Sequence, residues 1–474
     1  MAAKRRAQSS MPNLGWQRAR MPQHTLRYRV SHGGARAVAL TVIAILAFLG
    51  TFAAATWADI NGTIEGQQIQ VIKQKGVKVD DTPVDPYANK AINILLVGQD
   101  TRDGEGNTAI GGNAADTQNL HNSDTTMILQ IAADRKTMNL VSLPRDLMVD
   151  TPACQTSKGE IPAQYSVQFN SIFANAYATG GDVASAASCT LNAVNYMSGM
   201  DIQNFMVVDF GGLVNMINDI GGVDVCIPTD MQDAYTGLNL TRGMQHLDGT
   251  TATQYARTRH ATGTDGSDTM RTTRQQYLIK QIVKTALSKN YFTQTSQLYQ
   301  LAKSALKSVQ MSAGLADAGT LVGLATSLKN FDMTHLYSQT IPIEPWVQDN
   351  NRSQLADGAD AVFEKLRADK PLVEETKSSD SSANNSDSSN GADSSNGTDG
   401  STGADGSTSD GTTSDGSTYD AATGVITQAD GTLIDKETNG IIDPETGAIR
   451  SQETGQFIGL ANRYIEVTYC GVKY

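Results

Sequence analysis

AINILLVG, residues 91–98, is a continuous apolar run closed by glycine and followed by the polar stretch QDTRDGEGN. A run of this length, bounded by a turn signal, reads as a strand buried on both faces. Such a strand delivers the loop after it to the carboxyl edge of a sheet, where α/β proteins bind ligands. Downstream, TTMILQIA (125–132) and TMNLVSL (137–143), joined by Asp134, Arg135 and Lys136, predict a hairpin. FMVVDF (205–210) predicts another strand. GGLVNMINDI (211–220) has Leu213, Val214, Ile217 and Ile220 at helical spacing, is closed by Gly221-Gly222, and leads into a strand VDVCI. Strand, helix, strand in succession predicts an α/β class. Further helices are expected over 170–181, 183–197, 277–287, 294–309, 316–329 and 357–370, with a last core strand over 336–343.

The N-terminus reads differently. Eight of the 37 Lys and Arg precede residue 37 and none of the 49 Asp and Glu does, so the remainder carries 29 basic against 49 acidic side chains. AVALTVIAILAFLGTFAAATWA (37–58) has no charge and matches the ~20 residues of a membrane-spanning helix. A cleaved signal peptide is the competing reading, with Ala53 to Ala55 as the cleavage site; the basic segment is long and the apolar run exceeds the usual ~7–15 residues. The expectation is therefore a retained single-pass anchor in the cell membrane. The positive-inside rule keeps residues 1–36 cytoplasmic and places residue 59 onward outside. The acidic exterior argues against nucleic-acid binding.

Cys154, Cys189, Cys226 and Cys470 all fall outside, where disulfides persist, and none has metal-site spacing. Cys154 and Cys189 bracket one loop-and-helix segment, so the expected pairs are Cys154–Cys189 and, by elimination, Cys226–Cys470. Residues 59–90 read as a stalk and 91–372 as the catalytic domain. Residues 373–419 are almost entirely Ser, Gly, Thr, Asn and Asp and read as a disordered linker. Residues 420–474 repeat TGVI, NGII, TGAI and TGQF and predict a small β module without an evident function.

Chemistry concentrates in two places. Asp124 just before the hairpin and Arg145 just after it should meet at one rim, with Asp100 arriving on a neighbouring strand. Two carboxylates can hold Mg²⁺ (or Mn²⁺), which completes its shell with phosphate and water. A later segment packs Arg257, Arg259, Arg271 and Arg274 within less than twenty residues. Guanidiniums so crowded need a shared anion, and their planar forks suit phosphate oxygens. Acids and arginines together suggest phosphoryl transfer. Asp100 is the first candidate general base and Asp268 the second, while His260 reads as a bystander.

NILLVGQDTR (93–102), SDTTMILQI (123–131), LVSLPRD (140–146), NSIFANAYATGG (170–181), DFGGLVNMINDIGGVDV (209–225), LDGTTATQYARTRH (247–260) and GSDTMRTTRQQ (266–276) together resemble the LytR-CpsA-Psr family in its actinobacterial style. The resemblance runs in order through residues 91 to about 345. It implies a mixed central β-sheet flanked by helices, preceded by one transmembrane helix. It also implies a phosphotransferase that moves glycan-phosphate from a polyprenyl-pyrophosphate carrier to a peptidoglycan hydroxyl, attaching a cell-wall glycopolymer such as a teichoic acid or wall polysaccharide. Asp100 and Asp124 match the family's metal-associated acids and Arg145 its PRD arginine. Arg257, Arg259, Arg271 and Gln275 match its pyrophosphate-binding set. Two departures stand out: Asn122 replaces an arginine usual before SDT, and Gln168 replaces a lysine, with Arg102 placed to compensate for the first. A non-catalytic polyprenyl-phosphate binder and a pyrophosphatase acting on the same lipid are the alternatives.

Overall fold

Ile94, Leu95 and Val97 are 2, 0 and 2% exposed, and alternate members of the run pack against different clusters on the two faces of one sheet. They belong to a computed structural model that describes residues 47, 50, 51, 53–76, 80–101, 121–262, 264, 266–288, 303, 306–373, 411–412, 416–452 and 455–473. The central sheet contains β1 (Gln68–Ile69), β2 (Ile92–Asp100), β3 (Asn122–Ile131), β4 (Met138–Leu143), β5 (Asn204–Asp209), β6 (Gln310–Ser312) and β7 (Leu336–Thr340). Its spatial order is β1-β6-β5-β2-β3-β4-β7. β2 pairs parallel with β5 and antiparallel with β3, and β4 pairs antiparallel with β3 and parallel with β7, so the sheet is mixed.

On one face lie α1 (Phe169–Gly180) and α2 (Val183–Ser198), with Phe173, Ala187 and Val194 packed against Leu95, Ile128 and Phe205. Asp182 caps α2 by accepting from the Ser185 amide at 2.7 Å, and the Cys154–Cys189 disulfide ties α2 to the loop after β4. After β5 comes α3 (Phe210–Asp219), capped by Asp209 accepting from the Gly212 amide at 2.7 Å. It is followed by α4 (Gly249–Arg257), α5 (Asp268–Ser288), α6 (Ala318–Ser327) and α7 (Ala359–Arg367). Apolar residues of α6 pack with Ile92, Ile94 and Met138 on the second face.

VDVCI departs from the expectation. Val223–Ile227 pairs antiparallel with Gly243–Leu247 in a separate ribbon and does not join the central sheet. Gly221 and Gly222 both have positive φ, 78° and 83°, a left-handed turn after α3 that glycine makes without a steric penalty. The ribbon builds its own core, in which Val225 and Leu247 meet Ile217 of α3, Tyr255 of α4 and Tyr277 of α5.

Residues 59–90 do not stand apart from this domain. Residues 59–65 are helical, Ile64 is fully buried among Ile94, Met138 and Leu336, and Gln68–Ile69 forms the sheet's edge strand. Ile60, Ile64 and Val84 of this segment are thus core contacts. The expected span 37–58 lies largely outside the described residues, and among those described no helix is long and apolar enough to cross a membrane.

Most of the expected linker also lies outside the described residues. The C-terminal part is a seven-stranded antiparallel meander between Gly411 and Leu460, each strand pairing with the next, followed by α8 (Asn462–Cys470). α8 is docked on α5: Glu466, 2% exposed, accepts from Gln281 Nε2 at 2.7 Å and Tyr277 Oη at 3.2 Å and pairs with Lys284 at 3.3 Å. Cys470 is bonded to Cys226 across 244 residues of sequence. A cross-link closing so long a loop stabilises by about 2–5 kcal/mol. Reduction, or Cys470→Ser, is expected to lower the melting temperature by several degrees, and non-reducing peptide mapping should recover the Cys226–Cys470 linked pair.

Candidate active site

β2 and β3 lose step at their ends. Gly98 pairs with Thr125 but Gln99 pairs with Ser123, leaving Asp124 as the extra residue of a β-bulge on β3. A Cβ on Gly98 would come 3.0 Å from the Thr125 Cβ, so the bulge packs closely against a residue without a side chain. Bulges re-aim side chains at sheet rims. Here the Asp124 carboxylate reaches the end of β4, where its Oδ1 accepts from Arg145 Nη1 at 3.0 Å. The hairpin rim anticipated from sequence is therefore formed.

The second half of the site comes from the segment joining α4 to α5. Ser267 caps α5 by accepting from the Met270 amide at 3.1 Å. In its first turn, Asp268 Oδ1 accepts from Arg271 Nη2 at 2.6 Å and from Arg259 Nη2 at 2.8 Å, with Arg145 Nε 3.4 Å away. Arg271 also donates to the Asp124 backbone carbonyl at 3.0 Å, and its Nη1 stands 3.7 Å from Asp124 Oδ2. Three guanidiniums thus meet two carboxylates at the rim of the sheet, with a third carboxylate, Asp146, beside them.

Burial and charge act in opposite directions here. Burial alone would raise Asp268, but Arg271, Arg145 and Arg259 hold it below the usual carboxylate range. Burial, followed by the like charges of Arg271 and Arg145, lowers Arg259. Burial would lower Arg145 as well, but Asp124 and Asp268 outweigh it and raise it. Asp146 shifts upward, first through burial and then through Asp268, and its carboxylate accepts from the Ser353 hydroxyl at 3.3 Å. Asp268 Oδ2 and Arg271 Nε are buried without hydrogen-bond partners, so the network is not saturated. An arrangement of crowded arginines with open polar valences can take up a polyanion.

Other expected site residues fall in different places. The Arg257 guanidinium lies 4.2 Å over the Phe210 ring at the start of α3. Buried Arg274 donates to the Thr258 carbonyl, and Gln275, 8% exposed, donates to the Ala256 carbonyl at 3.1 Å. Both brace α4 against α5. Asp100 ends β2 opposite Asn122, while Arg102 lies outside the described residues. His260 is exposed, its ring 5.2 Å from that of Tyr235. Sequence reasoning missed Asp268 as the hub, Asp146 as the raised acid and Phe210 as the platform under Arg257. The i,i+3 spacing of Asp268 and Arg271 was the one available local signal.

Among the described residues no group of three or more His, Cys, Asp or Glu is placed to hold a metal. A two-carboxylate site remains consistent with Mg²⁺, which takes one or two carboxylates plus phosphate and water. Asp124 Oδ2 is beyond hydrogen-bond distance from Arg271, and Asp100 ends the adjacent strand, so hard oxygen donors are present on both sides of the bulge.

The LytR_cpsA_psr family model matches residues 56–368. The chain is 28% identical over 269 residues to the cell wall biosynthesis protein LcpA of Corynebacterium glutamicum, covering 54% of this chain and 51% of that protein. It is 27% identical over 251 residues to the polyisoprenyl-teichoic acid–peptidoglycan teichoic acid transferase TagU of Enterococcus faecalis, covering 53% and 70%. It spans about half the length of LcpA and 64% of the probable cell wall biosynthesis protein LcpB of C. glutamicum. A LytR-Csp2A-Psr enzyme from Actinomyces oris is similar at a TM-score of 0.42 and 18% identity, over 63% of this chain and 96% of that one. With its motifs in order and the family model matched over most of its length, this chain belongs to the LytR_cpsA_psr family.

Proposed function

We propose that the protein is a phosphotransferase that moves glycan-phosphate from a polyprenyl-pyrophosphate carrier to a peptidoglycan hydroxyl, attaching a wall glycopolymer. The observation that carries this reading is the convergence of Arg145, Arg259 and Arg271 on Asp124 and Asp268 at the sheet rim. The names of the TagU, TagV and TagT relatives describe transfer of the same kind from polyisoprenyl-linked polymers to peptidoglycan. The basic tail and the uncharged run 37–58 support a single-pass membrane anchor with the site outside, beside a lipid-borne substrate.

In this reading the acceptor oxygen bonds to the glycan-bearing phosphorus. The bond from that phosphorus to the polyprenyl-phosphate oxygen breaks, and the electron pair leaves with the lipid phosphate. Arg259, Arg271 and Arg145 hold the non-bridging oxygens and take the charge that moves onto the leaving group. The hydroxyl proton passes to Asp100. Asp268 is a poor base because three arginines hold it ionised with its charge already engaged. Asp100 and Asp124 would hold Mg²⁺, which supplies Lewis-acid neutralisation of the pyrophosphate.

The test is to incubate the full chain with a polyprenyl-pyrophosphate-linked glycan, Mg²⁺ and peptidoglycan oligomers, and to look for a phosphodiester-linked product by mass. Chelation with EDTA is expected to remove product formation and Mg²⁺ or Mn²⁺ to restore it. Lipid binding without turnover would identify a binder, and release of glycan phosphate to water alone would identify a pyrophosphatase; either result overturns the transfer reading.

A further inference from the structure

α5 meets the C-terminal module along a single stripe. Met270, Tyr277, Gln281 and Lys284 recur at helical spacing and so share one face. Tyr277, Gln281 and Lys284 are bonded to Glu466 of α8. Met270, at the other end, is 8% exposed and packs in one buried cluster with Ala448 and Phe457, with Leu460 beside them. From Met270 to Lys284 the stripe runs about 21 Å at 1.5 Å per residue. The module that covers it lies wholly beyond the region shared with the family.

The near end of that stripe is the first turn of α5, which also carries the hub of the arginine site. At about 100° per residue, Arg271 and Asp268 project about 100° and 200° around the helix from Met270, so the module supports the turn from behind. Met270 is the one apolar residue of that turn, Asp268 to Arg271. Other supports come from the site itself, where Arg271 donates to Asp268 and to the Asp124 carbonyl at 2.6 and 3.0 Å. A bound polyanion would compete for those bonds, whereas the apolar contact is indifferent to ligand. The strand Phe457–Leu460 is fixed in its turn. It lies against β7 as well as α5, Gln456 beside it accepts from the Ile343 amide at 3.2 Å, and the Arg450 guanidinium lies 3.7 Å over the Phe457 ring.

We propose that the C-terminal module positions the arginine site, with Phe457 holding the first turn of α5 in place through Met270. Phe457 is then a positioning residue: it acts through the helix that presents Asp268 and Arg271. A phosphate clamp gains its rate from guanidiniums set in advance, and a displacement of about 1 Å can cost on the order of 10²-fold. An apolar contact suits this task because it holds equally with the site empty or filled. The consequence for rate rests on the transfer reading; the consequence for the helix does not.

The test compares the full chain in detergent micelles with its Phe457→Ala, Phe457→Leu and Ile442→Ala variants. Ile442, 2% exposed, packs in the module's own core with Val425 and Ile449 and so reports module stability alone. Amide hydrogen exchange of residues 268–275 should quicken about tenfold in Phe457→Ala, return toward the parent rate in Phe457→Leu, and stay unchanged in Ile442→Ala. The kcat for glycan-phosphate transfer should follow the same order, falling on the order of tenfold in Phe457→Ala. KM for the lipid-linked donor should shift less, because the guanidiniums match charge that develops in the transition state. Unchanged exchange in Phe457→Ala, equal loosening in Ile442→Ala, or a loosened turn with kcat intact would overturn the proposal. A parent chain without transfer activity would remove the transfer reading instead, and the exchange comparison alone would then decide whether Phe457 holds the turn. If Phe457→Ala melts early, the parent decides. As urea is raised, opening of Phe457–Leu460 should expose residues 268–275 in the same step, and a turn that stays protected after the strand opens would overturn the proposal.

Discussion

Arg271→Ala is expected to lower glycopolymer transfer by on the order of 10³-fold or more, the range seen when an arginine that stabilises a migrating phosphoryl group is removed. Arg271 is 3% exposed and holds two acids at once, donating to Asp268 at 2.6 Å and to the Asp124 carbonyl at 3.0 Å while standing 3.7 Å from the Asp124 carboxylate. Its loss removes one of the three charges proposed to hold the phosphate and also frees the bulge from α5. Arg271→Lys should rescue poorly, because a point charge on a flexible stem cannot span both carboxylates as a planar fork does. Product should be counted by mass at saturating lipid-linked donor, with melting temperature measured beside it. A variant that is folded and retains more than a tenth of the wild-type rate would take Arg271 out of the reacting site.

The way this site is assembled explains what could be read in the chain beforehand. AINILLVG needed no partner to be recognised, since a strand buried on both faces shows itself in eight consecutive residues. The hairpin likewise announced itself, and with it the meeting of Asp124 and Arg145. Asp124's re-aiming was invisible, because a bulge is a one-residue difference between two strands 22 positions apart at Asp100 and Asn122. Asp268 as hub was only partly visible: its contact with Arg271 is local, but those with Arg145 and Arg259 depend on where two loops arrive.

The same reasoning accounts for the fold. VDVCI has the composition of a core strand and is one, but of a ribbon, because composition marks a buried strand and not the strand it pairs with, here Gly243–Leu247. The C-terminal repeats have too few apolar residues to suggest more than a small module. Their attachment combines the buried carboxylate of Glu466, a disulfide to a residue 244 positions earlier, and the packing of Ala448 and Phe457 on Met270 of α5. None of these leaves a periodic signal. Conversely, the four-arginine segment read as one clamp proves to be divided. Arg259 and Arg271 face the acids, Arg257 stacks on Phe210, and Arg274 holds the Thr258 carbonyl from within.

Asp268→Asn and Asp146→Asn are expected to change stability in opposite directions at neutral pH. Asp268 has a folded pKa below the ordinary aspartate value of about 3.9. Its stabilising contribution is therefore fully present above that value and is lost as the pH falls through the folded value. Breaking a buried ion cluster by removing one partner costs about 3–5 kcal/mol, so Asp268→Asn should melt well below the parent at pH 7 and approach it only as the pH falls through the lowered folded value. Asp146 has a raised folded pKa, so its contribution is complete below about 3.9 and is lost as the pH rises through the folded value. Asp146→Asn, which keeps an acceptor for Ser353, should melt above the parent at pH 7 and match it in acid. The two are coupled, because the Asp268 charge is the second cause of the rise at Asp146. The gain from Asp146→Asn should therefore shrink in an Asp268→Asn background, as a double-mutant cycle of melting curves would show. Shifts of the same sign at pH 7, or additive ones, would mean that Asp268 and Asp146 do not share the field of the arginine cluster.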